Sequence, residues 1–377
     1  MIDAPTWEGV QSLLDNYVGV RDDDIVLVLF TSDSYESAAW VSAALDLRNI
    51  SVTRVWMAPL QDDGLLERLT AALPTPESFG GRLVVLSFER DTMSHEQTLA
   101  LALSRFDRRR CDVYRSISAG AELFAGPLRV SPQKLSSLNA AILERCVGAG
   151  RMRIVTAAGT DLEVEIDSAR HRWISNRGTA RPGGVVVLPA GEVATFPASI
   201  SGVFVADCAF NVNLFTTLDA RLDRHPVSVW IEKGRAVRYE CNNTETLRFL
   251  DTCFSRTNAH NVGELGFGTN VGSTVSVPMN SHINERRPGV HLGFGQHNQS
   301  LDVVGFRCTI HIDLIAKGGK LWLDDDMPPL DLEAVVPSQH PHPVNLRDED
   351  VFSPKAGDFE ASDCCSIPRG GSHATDF

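Results

Sequence analysis

A repeated glycine-rich stretch constrains this chain more than any other feature. Glu264-Leu-Gly-Phe-Gly and His291-Leu-Gly-Phe-Gly carry the same four residues after a different first one, 27 positions apart. In a strand, alternate residues share a face. Leu265 and Phe267 then pack on one side, and Glu264, Gly266 and Gly268 occupy the other. The second copy sets Leu292 and Phe294 against His291, Gly293 and Gly295. Glycine weakens a strand interior and adds nothing to packing. A stripe of it beside a carboxylate or an imidazole suits a place where a substrate or an ion lies close to the backbone. Bends and bulges are the other use of strand glycine.

The chain divides into three stretches. Over 1–148, the apolar runs Asp24–Phe30, Val52–Met57 and Leu83–Phe88 alternate with helical segments. In one of these, Glu36–Leu47, the residues Ala39, Ala43, Ala44 and Leu47 fall on one face. This alternation predicts an α/β N-terminal domain with a parallel sheet and crossover helices. The loop Thr31-Ser32-Asp33-Ser34 holds no glycine, and neither a dinucleotide fingerprint nor a P-loop occurs anywhere. The domain therefore reads as a scaffold that walls one side of a cleft.

A helix-like stretch, Lys134–Cys146, ends at Ala149-Gly150, and over 149–336 short strand-like segments dominate. They are Arg153–Thr156, Leu162–Ile166, Gly184–Leu188, Gly202–Asp207, Val227–Ile231 and Arg307–Ile315. Turns at Ala158-Gly159, Pro182-Gly183, Lys233-Gly234 and Lys317-Gly318-Gly319 separate them, and one helix is expected over Thr244–Phe254. The prediction is an α+β, mostly β C-terminal metal-binding domain. The stretch 337–377 carries Pro337, Pro341, Pro343, Pro354 and Pro368 among many acids. It reads as an irregular or disordered tail, with His340-Pro-His342 a floppy segment rather than a metal site.

The chain has 48 acidic and 35 basic residues, a formal charge of −13. That is wrong for a nucleic-acid surface and for an anionic membrane. No apolar run approaches the roughly 20 residues that span a bilayer. Met1 to Val10 carries Asp3 and Glu8 and no basic apolar leader. Eight cysteines, Cys364-Cys365 among them, form no Cys-x-x-Cys pair. The expectation is a cytoplasmic chain with reduced thiols, either a soluble enzyme or a small-molecule binding protein.

The segment Arg307-Cys-Thr-Ile-His311-Ile-Asp313-Leu-Ile315 carries the next signal. As a strand it has an apolar face of Cys308, Ile310, Ile312 and Leu314. His311 and Asp313 project side by side from the other face, about 7 Å apart at their α-carbons. Glu192, in Leu188-Pro-Ala-Gly-Glu192-Val193, stands just past a strand on a turn, where a lone glutamate is ordinarily solvated. Glu192, Glu264, His291, His311 and Asp313 together offer nitrogen and oxygen donors without cysteine. That set suits zinc, cobalt, manganese or iron. Three carboxylates and two histidines can hold two divalent ions with a bridging water, at the roughly 3.5–4 Å separation of two-metal sites.

These segments resemble the aminopeptidase T (thermophilic-type leucyl aminopeptidase) metallopeptidases. The matching stretches are Pro189-Ala-Gly-Glu192-Val-Ala-Thr195, Gly263-Glu264-Leu-Gly-Phe-Gly-Thr-Asn270, Gly289-Val-His291-Leu-Gly-Phe-Gly295 and His311-Ile-Asp313. Gly159-Thr160-Asp161-Leu162 and Glu232-Lys-Gly-Arg235 are similar to family segments too. The resemblance covers roughly residues 150 to 330. It implies a homodimer with a dinuclear site ligated by Glu192, Glu264, His291, His311 and Asp313. The function it implies is removal of N-terminal amino acids from peptides, or cleavage of a related small amide, with Glu192 or Glu264 shuttling the proton.

The family's tyrosine, seven residues after the histidine, is replaced here by Asn298, with His297 a candidate substitute. That change favours a repurposed, non-peptidase member. The 2,5-dihydroxypyridine dioxygenases resemble the same pattern with one iron on two histidines and a carboxylate. They have a histidine where this chain has Glu264, which favours the dinuclear hydrolase. His260 and His291 remain able to complete such a triad with His311 and Asp313. His95, His171 and His225 read as surface or packing residues, His282 as a loop residue, and Arg286 with Arg287 as a solvated loop pair.

Overall fold

The computed structural model describes residues 2–78, 80–90, 94–180, 184–324 and 327–343. The expectations for Pro182-Gly183, for Cys364-Cys365 and for 344–377 lie outside the described residues. Among the described residues, no helix is long and apolar enough to cross a membrane.

Five strands form a parallel sheet in the order Val52–Trp56, Ile25–Phe30, Leu83–Phe88, Cys111–Ser116, Val185–Leu188. Alternating side chains divide between two cores. Val26, Val28, Val84, Leu86 and Phe88 pack with helices Ala4–Ser12 and Tyr35–Leu47 on one face, and Leu27, Leu29, Leu83 and Val85 pack on the other. Burial on both faces explains the unbroken apolar runs. This is the α/β arrangement the sequence predicts.

Strand Cys111–Ser116 escapes sequence reading because Asp112 and Arg115 interrupt it. Both charges are compensated. Arg82 bridges Asp24 and Asp112 at 2.8 and 2.6 Å, and Arg115 pairs with buried Glu89.

Val185–Leu188 is a correction. The sequence groups it with the β-rich second half, but it pairs in parallel with Cys111–Ser116 at the edge of the first sheet. Its four apolar residues suit a two-sided sheet. From that edge the chain runs within four residues to Glu192.

The rest is two antiparallel sheets, the mostly β half expected. Seven strands run in the order Arg235–Glu240, Val227–Glu232, Ser199–Ala206, Asp161–Glu165, Arg151–Val155, Lys320–Leu323, Leu330–Asp331. Six run in the order Ala209–Val212, His311–Ile315, Gly289–Gly295, Val262–Gly268, Glu192–Thr195, Trp173–Asn176. One core joins them. Met152, Ile154, Leu162, Val164 and Phe204 from the larger sheet meet Val193, Leu265, Phe267, Leu292, Phe294, Ile312 and Leu314 from the smaller. Helix Thr244–Phe254, at the bounds the sequence predicts, packs Phe249, Leu250 and Phe254 into the same core.

The strand expected over Arg307–Ile315 begins only at His311. Residues 337–343 form no helix or strand, yet they are tied down. Ser338 donates to the Ser137 carbonyl at 2.9 Å, and buried His342 meets Ser175 Oγ at 2.9 Å. His340 is instead exposed beside Glu144 at 3.4 Å, so the two histidines do not share a ligand position.

Helix Pro132–Cys146 latches the halves together through fully buried Asn139. Its Nδ2 donates to Ser175 Oγ and to the carbonyls of Asn176 and Glu192, at 2.9–3.2 Å, and its Oδ1 accepts from Thr269. Replacing Asn139 by Ala strands several buried polar groups at about 1–3 kcal/mol each. Chemical denaturation of Asn139→Ala should show a loss of roughly 2–4 kcal/mol. A variant as stable as the parent contradicts the latch.

Candidate metal centre

The register of the six-stranded sheet sets every predicted ligand opposite a glycine. Glu192 pairs with Gly268, His291 with Gly266, Glu264 and Asp313 both with Gly293, and His311 with Gly295. Cross-strand partners share a face. The face away from the core is therefore stripped of side chains where the ligands must lie. A Cβ at Gly266 would sit 1.9 Å from His291 Nε2, and one at Gly293 would sit 2.7 Å from the His311 ring and 2.9 Å from Asp313 Oδ1. The close approach that the glycine stripe foretold is made, at these two positions, by the chain's own imidazoles and carboxylate. At Gly268 the near neighbour is the backbone carbonyl of Arg287, 2.0 Å from such a Cβ.

All five side chains come together, and all are buried. They form two groups that share one member. Glu192, Glu264 and His291 make the first, and Glu264, His311 and Asp313 the second. In each group, one ligand atom per residue lies within 4.8 Å of the others. His291 Nε2 is 3.0 Å from Glu192 Oε1 and 3.5 Å from Glu264 Oε1, and His311 Nε2 is 3.2 Å from Asp313 Oδ1. Glu192 is a correction in its local setting. It opens a strand and is 4% exposed, rather than solvated on a turn.

Proximity without alignment marks the cluster. Glu192 Oε1, His291 Nε2 and Asp313 Oδ1 are buried and form no hydrogen bond among the described residues. Ligand atoms that converge in a buried site with no hydrogen bonds between them fit a cation, and the donor set fits zinc or cobalt. The proton affinity of three of these groups is raised. Burial pushes Glu192 up to about 7 against the pull of Arg286, and burial also raises Asp313. Burial works to keep His291 neutral, but Glu192 and Glu264 outweigh it and hold the imidazole well above its ordinary value. Crowded carboxylates of this kind resist being charged together.

A second layer went unread in the sequence. Arg286 is not a solvated loop residue. It is 2% exposed, and its Nη1 forms an ion pair with Glu192 Oε2 at 2.9 Å. Its Nε donates to the Pro189 carbonyl at 3.1 Å, and it pairs with buried Glu285. Burial would raise Glu285, but Arg286 above all holds that carboxylate well below its usual range. Asn211 Nδ2 donates to Glu285 Oε2 at 2.7 Å. His282 lies not in a loop but on the short helix His282–Glu285, buried, with Nε2 4.0 Å from Glu285. Adjacent opposite charges at a helix end look solvated in a sequence. Only the fold brings them under the sheet.

Asn298 donates from Nδ2 to Glu264 Oε2 at 2.9 Å and accepts from Gln299 at 2.7 Å. His297 does not stand in for the tyrosine, because its Nε2 meets the Phe306 carbonyl at 2.7 Å. His260 does not complete a triad. It stacks on Phe254, 5.0 Å between ring centres, and Phe254 packs against Phe294 on the core side of the sheet.

Two solved structures share this architecture. The chain is similar to 2,5-dihydroxypyridine dioxygenase from Pseudomonas putida KT2440 at 17% identity, over 89% of this chain and 97% of that one, with a TM-score of 0.59. It is similar to wild-type AmpT from Thermus thermophilus at 14% identity, over 88% and 99%, with a TM-score of 0.53. Identities this low establish the fold alone. The family described as crocagin biosynthetic protein CgnE/B matches residues 211–321, a stretch that holds Glu264, His291, His311 and Asp313 but not Glu192. No curated protein matches the chain.

Gly266→Ala tests the site's construction. The added methyl collides with His291 Nε2, so equilibrium dialysis with cobalt should show less metal bound than by the parent. Unchanged loading in a folded variant contradicts the register argument.

Proposed function

We propose that the chain is a metal-dependent, aminopeptidase-like hydrolase that removes N-terminal amino acids from peptides or cleaves a related small amide. Glu264 carries the reading, because it belongs to both ligand groups. A carboxylate common to two such groups is the arrangement of a two-metal site. In this reading Glu192, Glu264 and His291 hold one divalent ion, and Glu264, His311 and Asp313 the other, with zinc or cobalt the best match to the donors. Two such ions would supply Lewis-acid activation of a water and of the scissile carbonyl.

The chain's own groups do the rest. Arg286 fixes Glu192 Oε2, so Oε1 faces the cluster. Asn298 fixes Glu264 Oε2 in the same manner. Glu192 or Glu264 takes the proton of the attacking water and returns it to the leaving amine, a task for a carboxylate within hydrogen-bond reach. The setting is a cytoplasmic homodimer acting on a peptide or small-molecule substrate.

One observation favours a second reading, a repurposed member of the fold that does not cleave peptides. Asn298 replaces a phenol with an amide whose two ends are engaged by Glu264 and Gln299. An engaged amide steadies a developing oxyanion less well than a phenol. The iron dioxygenase reading loses the support of His260, which packs on Phe254.

With zinc or cobalt supplied, release of amino acids from a panel of peptides and aminoacyl amides should be measurable. In Glu264→Ala it should fall by more than the roughly 100-fold typical of outer-sphere changes. Undiminished turnover in that variant removes the hydrolase reading. No turnover by the parent on any substrate, with ions bound, selects the repurposed one.

A further inference from the structure

The two ligand groups have the same donors, two carboxylates and one imidazole each. Bare donor chemistry therefore makes them equal. What surrounds the donors does not. His311 Nδ1 lies 3.0 Å from the Gln296 carbonyl, and the His311 backbone N–H donates to Asn213 Oδ1 at 2.9 Å. A carbonyl on Nδ1 keeps the proton there and presents Nε2 as a lone pair, the usual support of a metal-binding histidine. His291 has no such support, for its Nδ1 is buried and makes no hydrogen bond among the described residues.

The carboxylates differ as well. Arg286 holds Glu192 at 2.9 Å and is itself fixed by Pro189 and Glu285. A guanidinium paired with Glu192 draws negative charge away from the carboxylate that would ligate the ion. Among the described residues no arginine or lysine pairs with Glu264 or Asp313.

We infer that the two positions load in order: Glu264, His311 and Asp313 take the first divalent ion tightly, and Glu192, Glu264 and His291 take the second weakly, under the restraint of Arg286. At limiting metal the protein then carries one ion per chain, and the second position is where metal supply gates activity. The inference rests on the metal-dependent reading above and adds an order to it.

Metal-free full-length protein titrated with cobalt, followed by calorimetry and by the cobalt absorption bands, tests this. Two events are expected, the first at least tenfold tighter. Asp313→Asn should erase the tight event and keep the weak one, and His291→Ala should do the reverse. The double variant Glu285→Gln with Arg286→Gln keeps the buried pair neutral. It should tighten the weak event at least threefold and leave the tight one alone. Two events of equal affinity, or loss of the tight event in His291→Ala, overturn the order. No cobalt binding by the parent overturns the metal reading itself.

Discussion

The structure turns on an asymmetry between the two faces of one antiparallel sheet. Toward the core, Val193, Leu265, Phe267, Leu292, Phe294, Ile312 and Leu314 fill every place. Away from it, four glycines empty the places opposite Glu192, Glu264, His291, His311 and Asp313. Strand spacing is about 4.8 Å, so side chains on three neighbouring strands can meet only where intervening ones are missing. The Leu-Gly-Phe-Gly repeat does both jobs at once. Its large residues anchor the sheet, and its small ones let imidazoles and carboxylates lie across the backbone.

Such a face costs stability. Three carboxylates share a buried pocket with two imidazoles, and Glu192 Oε1, His291 Nε2 and Asp313 Oδ1 form no hydrogen bond among the described residues. A buried charge whose partner is removed destabilises by about 3–5 kcal/mol. The opposing contributions are visible elsewhere. Arg286 compensates Glu192 and Glu285, Asn298 satisfies Glu264 Oε2, and Asn139 ties the Glu192 carbonyl to a helix from the other half. The broad apolar core behind the sheet sustains the rest. Local strain held by surrounding packing is the general habit of functional sites.

Much of this was legible in the residues. Alternation in Leu265-Gly-Phe-Gly268 and His311-Ile-Asp313 gives both the strands and the faces. Helix Thr244–Phe254 is readable from its spacing. What stayed hidden depends on long-range pairing. Nothing local in Val185–Leu188 says that it closes a parallel sheet built from residues 25–116. Glu192 looks like a turn residue until the sheet recruits it. His282, Glu285 and Arg286 resemble any polar helix end, and His260 looks like a ligand until Phe254 and Phe294 are seen to place it on the core side. The parallel sheet, read in the sequence only as scaffold, contains the strand that leads the chain to Glu192.

Diffraction from crystals grown with cobalt, recorded on either side of the metal's absorption edge, addresses the whole account in one step. The account predicts two anomalous peaks per chain, with the Glu264 carboxylate common to both, Glu192 and His291 on one and His311 and Asp313 on the other. Cobalt bound only at surface histidines, with the five side chains left as they are, would contradict it.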